Sequence, residues 1–488
     1  MVERQNKVPW RTKIAFSAGA MEEAVIYAAS TITMVYYNQV LGVSAYLCGI
    51  VFLIAGIVDA VTDPLVGSLS DNFRSRWGRR HPFMVLGAVP LILGFYLLYA
   101  PPDGMSETFY FGWFLATLTL LRLGKTFFVI PHNALGAELT DNYHERTLIF
   151  GLNSVATQVG AALVGAFVLI VFFPSSGDEN GLLTNPDGWS MMAVVGAGSM
   201  LIALVYCIVG TADQIPHLHN VGTQRVRLRD NLGDLAMLLK SRSYVSVCAA
   251  WLVMTSSGGI LAIVSTYTYI YGFGLSTAEL SIRSFVTLPG MFLAIPFAAY
   301  LTKRLDKKMT MVYACIFCGF MVGLPHTLAW LGLFPANDSV WMLPSLYACL
   351  FIGYLTLPMV PIVYDSQLTD IADEHEYRTG RRAEGVIFAF RTFAIKSTVG
   401  IGGLIGGFGL ELIDFPENAT KEMITPEMLN GLYFMNGPLY WLIVATGMLF
   451  MGLYNLNEKR HGEMMKELHA RREAAQANLS PGGHEHRV

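Results

Sequence analysis

The chain has 488 residues, 53% of them hydrophobic and 14% charged, with a mean hydropathy of +0.46. Soluble domains carry about 25% charged residues, so an ordinary soluble protein is excluded, and a formal net charge of −3 gives no reason to expect a nucleic-acid partner. At roughly 20 apolar residues per crossing, a chain of this length holds about twelve crossings.

The N-terminus, MVERQNKVPWRTKIAF, runs into a full apolar span without a small-residue cleavage site, so the first helix is expected to be retained. Apolar stretches predict spans at 14–41, 45–70, 83–100, 108–130, 147–174 and 189–212, then at 244–271, 277–302, 309–335, 341–368, 384–412 and 431–455. Continuous apolar runs without period-two alternation exclude a barrel and predict an all-α polytopic membrane protein. The longest polar interruption, 213–243, divides the chain into an N-terminal six-helix bundle (1–212), a cytoplasmic linker, a C-terminal six-helix bundle (244–455) and a cytoplasmic tail (456–488). The tail reads as a basic amphipathic helix to about Ala475, and His484 and His486 beyond it as solvated.

Lysine and arginine concentrate in alternate connections: Arg4, Lys7 and Arg11; Arg74, Arg76, Arg79 and Arg80; Arg146; Arg225 to Arg242; Lys303 to Lys308; Arg378 to Arg382; and the tail. The opposite connections have almost none, Lys421 excepted, which predicts a multi-pass plasma-membrane protein with both termini cytoplasmic. The six cysteines lie in or at the ends of spans and read as buried thiols, Cys315-x-x-Cys318 included. Asn337 and Asn418 fit a glycosylation sequon on the expected outer face. AELTDNYHERT before the fifth span echoes SQLTDIADEHEYRT before the eleventh, with Leu139 and Leu368 229 residues apart, as a duplicated six-helix unit would place them.

Ionisable groups inside spans mark function by default. Asp59 and Asp63, four residues apart, share one helix face with Thr62 beside them. Two such carboxylates repel, so they must share a proton or hold a cation between them, and Pro64 is expected to bend the helix there. Glu22, Glu23, Arg122, Lys125, Arg283, Asp365, Arg391 and Lys396 are the other charges within spans. Lys396 is too deep to snorkel and needs an anion, for which Asp59 and Asp63 are the candidates. Arg283 reads equally as structural or functional. In the loop GSLSDNFRSRWGRRHP, Asp71 with Arg79 and Arg80 can pair with helix ends and hold the halves together, or simply set topology.

Three motifs carry a family resemblance: Asp59-Ala-x-x-Asp63-Pro64-x-x-Gly67, then Arg76-Trp77-Gly78-Arg79-Arg80-x-Pro82, then Ala372-Asp373 followed by Tyr377-x-Thr379-Gly380-x-Arg382-x-Glu384-Gly385. On these residues the chain resembles the major facilitator superfamily and, within it, the glycoside-pentoside-hexuronide:cation symporter family. The resemblance implies twelve helices in two bundles and cation-coupled symport by a monomer. It places the coupling ion, sodium or a proton, on Asp59, Thr62, Asp63 and Thr126, with the aspartates as sodium ligands if sodium is used. It places the solute on Glu23, Lys396 and the cavity-facing Thr392. Asp71, Arg79, Arg80, Asp365 and Arg382 are the cytoplasmic gating candidates.

Where family members that carry galactosides place an aspartate and a tryptophan on helix four, this chain reads VIPHN, giving Val129 and Asn133. Lys125 and Arg391 are charged where those carriers are not. Together with Arg122 and Lys396 they suit an anionic small-molecule solute, a uronide or sulfosugar, with a lysolipid or another amphipathic anion as the alternative. No catalytic motif is present, His132 and His326 read as packing groups, and no cofactor beyond the coupling ion is expected; a channel or a non-transporting sensor is the rival of another class.

Overall fold

In a computed structural model of the chain, residues 8–140, 142–175, 180–217, 233, 235–286, 288–380 and 384–479 are described, and no strand occurs among them. The first half comprises α1 (Trp10–Ala18), α2 (Met21–Val35), α3 (Ala45–Asn72), α4 (His81–Tyr99), α5 (Glu107–Glu138), α6 (Tyr143–Phe167), the short α7 (Gly181–Thr184) and α8 (Pro186–Thr211). The second half comprises α9 (Arg242–Tyr267), α10 (Thr277–Val286), α11 (Leu288–Trp330), α12 (Met342–Tyr354), α13 (Met359–Thr379), α14 (Glu384–Leu412), α15 (Pro426–Phe434) and α16 (Tyr440–Gly452). A tail helix, α17 (Glu458–Leu479), follows. Polar residues start many of these helices: Ser44 Oγ accepts from Leu47 N at 3.4 Å, Asn142 Oδ1 from Glu145 N at 3.1 Å and Thr425 Oγ1 from Met428 N at 3.3 Å.

Among the described residues ten helices are long and apolar enough to cross a membrane, against the twelve spans expected. The first difference is a break at Gly19–Ala20, which splits the opening span into α1 and α2. There the Phe16 carbonyl accepts from Gly19 N at 3.0 Å and faces His132 Nε2 at 2.9 Å, so the histidine takes part in the bonding that ends the helix. The second lies in α11, where Asp306 has non-helical backbone angles (φ 64°, ψ 159°). Gly290 lies against the backbone of Tyr354 and Leu355, while Gly353 lies against Cys318, Met321 and Val322. Residues 290 and 320 would be about 45 Å apart on a straight helix; both adjoin 353–355, so the chain reverses at Asp306 and α11 is two antiparallel rods.

The two halves end their first spans alike. Tyr36–Val40 and Thr268–Gly272 are π-helical turns, followed by glycines at positive φ, Gly42 (72°) and Gly274 (65°). Val43 N bonds Tyr37 O and Leu275 N bonds Tyr269 O, each at 2.9 Å. The left-handed backbone at both turns favours glycine, and this shared ending supports the duplication read from the loop echo.

Val8, bonded to Glu145, and α17, docked on α13, lie at the end of the bundle that carries the 73–80 loop; the opposite end is the far end. From the far end inward, α3 and α14 run antiparallel in close contact. A Cβ on Gly407 would meet Ala45 O at 2.2 Å, and one on Gly49 would meet Gly403 O at 2.8 Å. Backbones approach this closely only over small residues. The same end carries a polar seal between halves. Gln39 Nε2 donates to Pro416 O (2.9 Å), and its Oε1 accepts from Tyr271 Oη (2.8 Å) and Ala419 N (2.9 Å). Tyr267 Oη donates to Asn38 Oδ1 (2.9 Å), and Asn180 Nδ2 to Leu275 O (2.8 Å).

The tail is helical as expected but docks back on α13. His461 Nε2 lies 3.1 Å from Asp373 Oδ2, and Tyr377 Oη donates to Glu467 Oε2 at 2.8 Å. All six cysteines are free thiols and five are buried. Most of the linker, 218–232, and the tail beyond 479, with His484 and His486, lie outside the described residues.

Replacing Gly407 by leucine should wedge α3 from α14 at the far end. A cysteine placed at Gln39 should then react several-fold faster with a membrane-impermeant maleimide than the same cysteine in the Gly407 background.

Candidate functional site

Asp59 and Asp63 are both buried on one face of α3, which continues through Pro64 to Asn72. Facing them on α5 are Arg122 and Thr126, also four residues apart. Arg122 Nη1 donates to Asp59 Oδ2 at 3.0 Å, and Thr126 Oγ1 donates to Asp63 Oδ1 at 2.7 Å. Both contacts span 63 residues of sequence; an equal offset at successive turns means that α3 and α5 run parallel and in register. Thr62 Oγ1 donates to Val58 O at 2.8 Å and lies 3.5 Å from Thr126 Oγ1.

The remaining oxygen of Asp63 pairs with the ammonium of Lys396, from α14 of the other half. Of the two partners the sequence allowed for this lysine, the structure selects Asp63. On α2, Glu23 Oε1 accepts from Lys125 Nζ at 3.2 Å. Glu23, Asp59 and Asp63 therefore meet Lys125, Arg122 and Lys396 one to one, so the three pairs are neutral. Glu22 beside it is 2% exposed, and its Oε2 has no hydrogen-bond partner among the described residues. Hard oxygen donors for a small cation are present in Asp59, Asp63, Thr62 and Thr126.

Asp365 pairs with Arg391, whose Nη2 donates to Asp365 Oδ2 at 3.0 Å. Both belong to the second half, so this pair joins α13 to α14 and does not bridge the halves as a gate. Thr392 is exposed one turn from Lys396, with Oγ1 3.4 Å from Phe388 O. Asn133 is not brought to the cluster: it is exposed two turns beyond Thr126, about 10 Å along the helix.

The charged loop pairs with helix ends of its own half. Arg80 Nη2 reaches Glu138 Oε1 (2.8 Å) and Asp71 Oδ1 (2.6 Å), Arg80 Nη1 donates to Ser70 Oγ (2.8 Å), and Arg79 Nη2 reaches Glu138 Oε1 (2.8 Å). These partners tie α3, α4 and α5 together within one half. Glu138 escaped the sequence reading, although it directly precedes the Leu-Thr-Asp echo. In the second half Lys307, at the corresponding connection, holds Asp370 with both oxygens at 2.7 Å. Arg382 lies outside the described residues. His132 stacks on Phe16 (centroids 4.2 Å), and His326 Nδ1 lies 3.1 Å from Val322 O; both are packing groups.

Residues 15–458 match the family described as MFS/sugar transport protein. The symporter YnaJ of Bacillus subtilis, itself uncharacterized, is 26% identical over 480 residues, covering 96% of each chain. An isoprimeverose transporter of Lactiplantibacillus pentosus is 24% identical, covering 86% of this chain and 84% of its own. A glucuronide carrier protein homolog of Escherichia coli is 23% identical, covering 97% and 98%. Among solved structures, the nucleoside transporter NupG aligns with a TM-score of 0.61 at 12% identity, covering 91% of this chain and 99% of its own. A bacterial homolog of the lysosomal transporter Spinster aligns at 0.60 and 13%, covering 91% and 95%. The latter two establish the fold.

Arg122→Leu strands the buried Asp59 carboxylate and should cost about 2 kcal/mol. In detergent melting, the double variant Arg122→Leu/Asp59→Asn should recover most of that loss; additive losses would show that the pair is not coupled.

Proposed function

This chain belongs to the MFS/sugar transport protein family, and from that premise we propose how its buried charges serve transport. It is a multi-pass membrane protein and a cation-coupled symporter of sugar-type solutes. The distribution of lysine and arginine supports a cytoplasmic location for the end that carries the termini. With the far end sealed, the arrangement described above then faces the cytoplasm.

One observation carries the mechanism: Asp63 is held at once by Thr126 of its own half and by Lys396 of the other. Lys396 therefore sits on the carboxylate that a coupling cation would use. A sodium ion or proton entering between Asp59 and Asp63 competes with it, with Thr62 and Thr126 offering neutral oxygens to sodium. Once displaced, the ammonium is free to meet the solute, and the pair no longer ties α3 to α14. Rocking of the halves then carries ion and solute together. Without the cation, parting the halves leaves Asp63 and Lys396 unpaired, which disfavours the empty transition.

Glu23 and Lys125 on the first half and Thr392 beside Lys396 on the second supply hydrogen-bonding groups for sugar hydroxyls. The relatives include one named for isoprimeverose and one for a glucuronide, at similar identity. Since Arg122, Lys125, Arg391 and Lys396 are each paired with a carboxylate, those four cations do not by themselves require an anionic solute.

Asp63→Asn should abolish accumulation driven by a sodium or proton gradient in proteoliposomes while leaving the protein folded. Wild-type accumulation against a gradient in this variant would overturn the assignment of the coupling site.

A further inference from the structure

Five cationic side chains lie well inside the spans, and four are matched to carboxylates: Arg122 to Asp59, Lys125 to Glu23, Lys396 to Asp63 and Arg391 to Asp365. The fifth, Arg283 on α10, is held differently. Its guanidinium lies 5.1 Å from the centroid of the Tyr269 ring, and Tyr354 and Tyr27 are its other close polar neighbours. Among the described residues no carboxylate lies within ion-pair distance of it. The acid one turn back, Glu279, is turned to its own helix cap, where Oε2 accepts from Ser276 N and Ser276 Oγ at 2.8 Å each. Ring faces and hydroxyls orient a guanidinium but do not neutralise it, and an unneutralised arginine among membrane helices is costly, which makes it a functional-site candidate.

Its surroundings place it beside the proposed solute path. Tyr27 follows Glu23 by one turn on the same face of α2. It is 62% exposed, and its neighbour Ala28 and the neighbour of Arg283, Ser284 of the other half, both adjoin Gly165, where an added Cβ would meet them at 3.7 and 3.2 Å. An exposed ring between the two halves faces the space that separates them. Arg283 therefore borders the same space as the Glu23–Lys125 pair, about 6 Å further toward the far end along α2.

We propose that Arg283 is the anion subsite of the solute, receiving the carboxylate or sulfonate of a sugar acid while the sugar hydroxyls reach Glu23 and Lys125. The inference rests on the symport reading above and sharpens its solute class. A planar fork with no acidic partner can take both oxygens of an acid group, whereas each of the other four cations would first have to surrender a carboxylate. The tyrosines restrain the fork before the solute arrives, so little ordering remains to be done on binding. A neutral sugar would leave the arginine unpaired, and that asymmetry is the source of selectivity.

The test uses the full chain in proteoliposomes under imposed sodium and, separately, proton gradients. The probes are p-nitrophenyl β-D-glucuronide and p-nitrophenyl β-D-glucoside, which differ only at C6. The wild type should favour the acid by about tenfold or more in KM. Arg283→Gln should raise the KM for the glucuronide by about that factor and leave the glucoside within about twofold, while Arg283→Lys should keep part of the preference and so separate charge from folding. An unchanged glucuronide KM in Arg283→Gln, equal losses for both probes, or a wild type that accumulates the glucoside alone would overturn the subsite and leave symport standing. A wild type that accumulates neither probe under either gradient would overturn the symport reading and the subsite with it.

Discussion

The ion pair between Asp63 and Lys396 is the constraint around which the rest of the molecule is arranged. It joins α3 of one half to α14 of the other at the depth where the spans carry their other charges. Taking either charge out of water is expensive, and separating them without a substitute leaves both uncompensated. The halves are therefore coupled at mid-depth by a contact that, in the proposed mechanism, a cation replaces. At the far end they are coupled by contacts that no small ion would replace, the packed glycines and the Gln39 seal. An alternating cycle needs both kinds: a surface that closes by shape and a charge pair that decides when it opens.

The other pairs keep that contact specific. Arg122 neutralises Asp59 and Lys125 neutralises Glu23, so Asp63 is the acid of the cluster left for the opposite half. The parallel register of α3 and α5 sets this division, because residues 59 and 63 meet 122 and 126 at successive turns. Thr126 fixes the other oxygen of Asp63, which orients the carboxylate toward α14. A neutral cluster also makes the unmatched Arg283 informative: its charge is not absorbed by the scaffold and remains available to a ligand.

Duplication explains why charge clusters recur at the ends of the two halves. Glu138 at the end of α5 gathers Arg79 and Arg80, and Asp370 near the end of α13 gathers Lys307. The first cluster braces the ends of α3, α4 and α5 and the second joins α11 to α13, each within its own half. The tail helix adds a further brace to the second half through Asp373 and Tyr377. Rigid halves let a change at one buried carboxylate be felt as a change in the angle between them.

Hydropathy and charge placement alone determined the helical membrane class, the location of the spans and the aspartate pair on one face of α3, because these depend on composition and on a period of 3.6 residues. The polar connection 303–308 already marked the reversal that α11 makes at Asp306, whereas local signals could not reveal that Gly19 ends a helix, since that turn is enforced by neighbours such as His132. Nor could they say which acid answers which base. Sequence placed Lys396 within reach of two aspartates, left Asp365 open between a gate and a structural pair and the arginine loop between bridging the halves and setting topology, and left Arg283 undecided. Pairing is set by how helices far apart in sequence pack, and only the tertiary structure brings residues 63 and 396 together while leaving residue 283 among tyrosines.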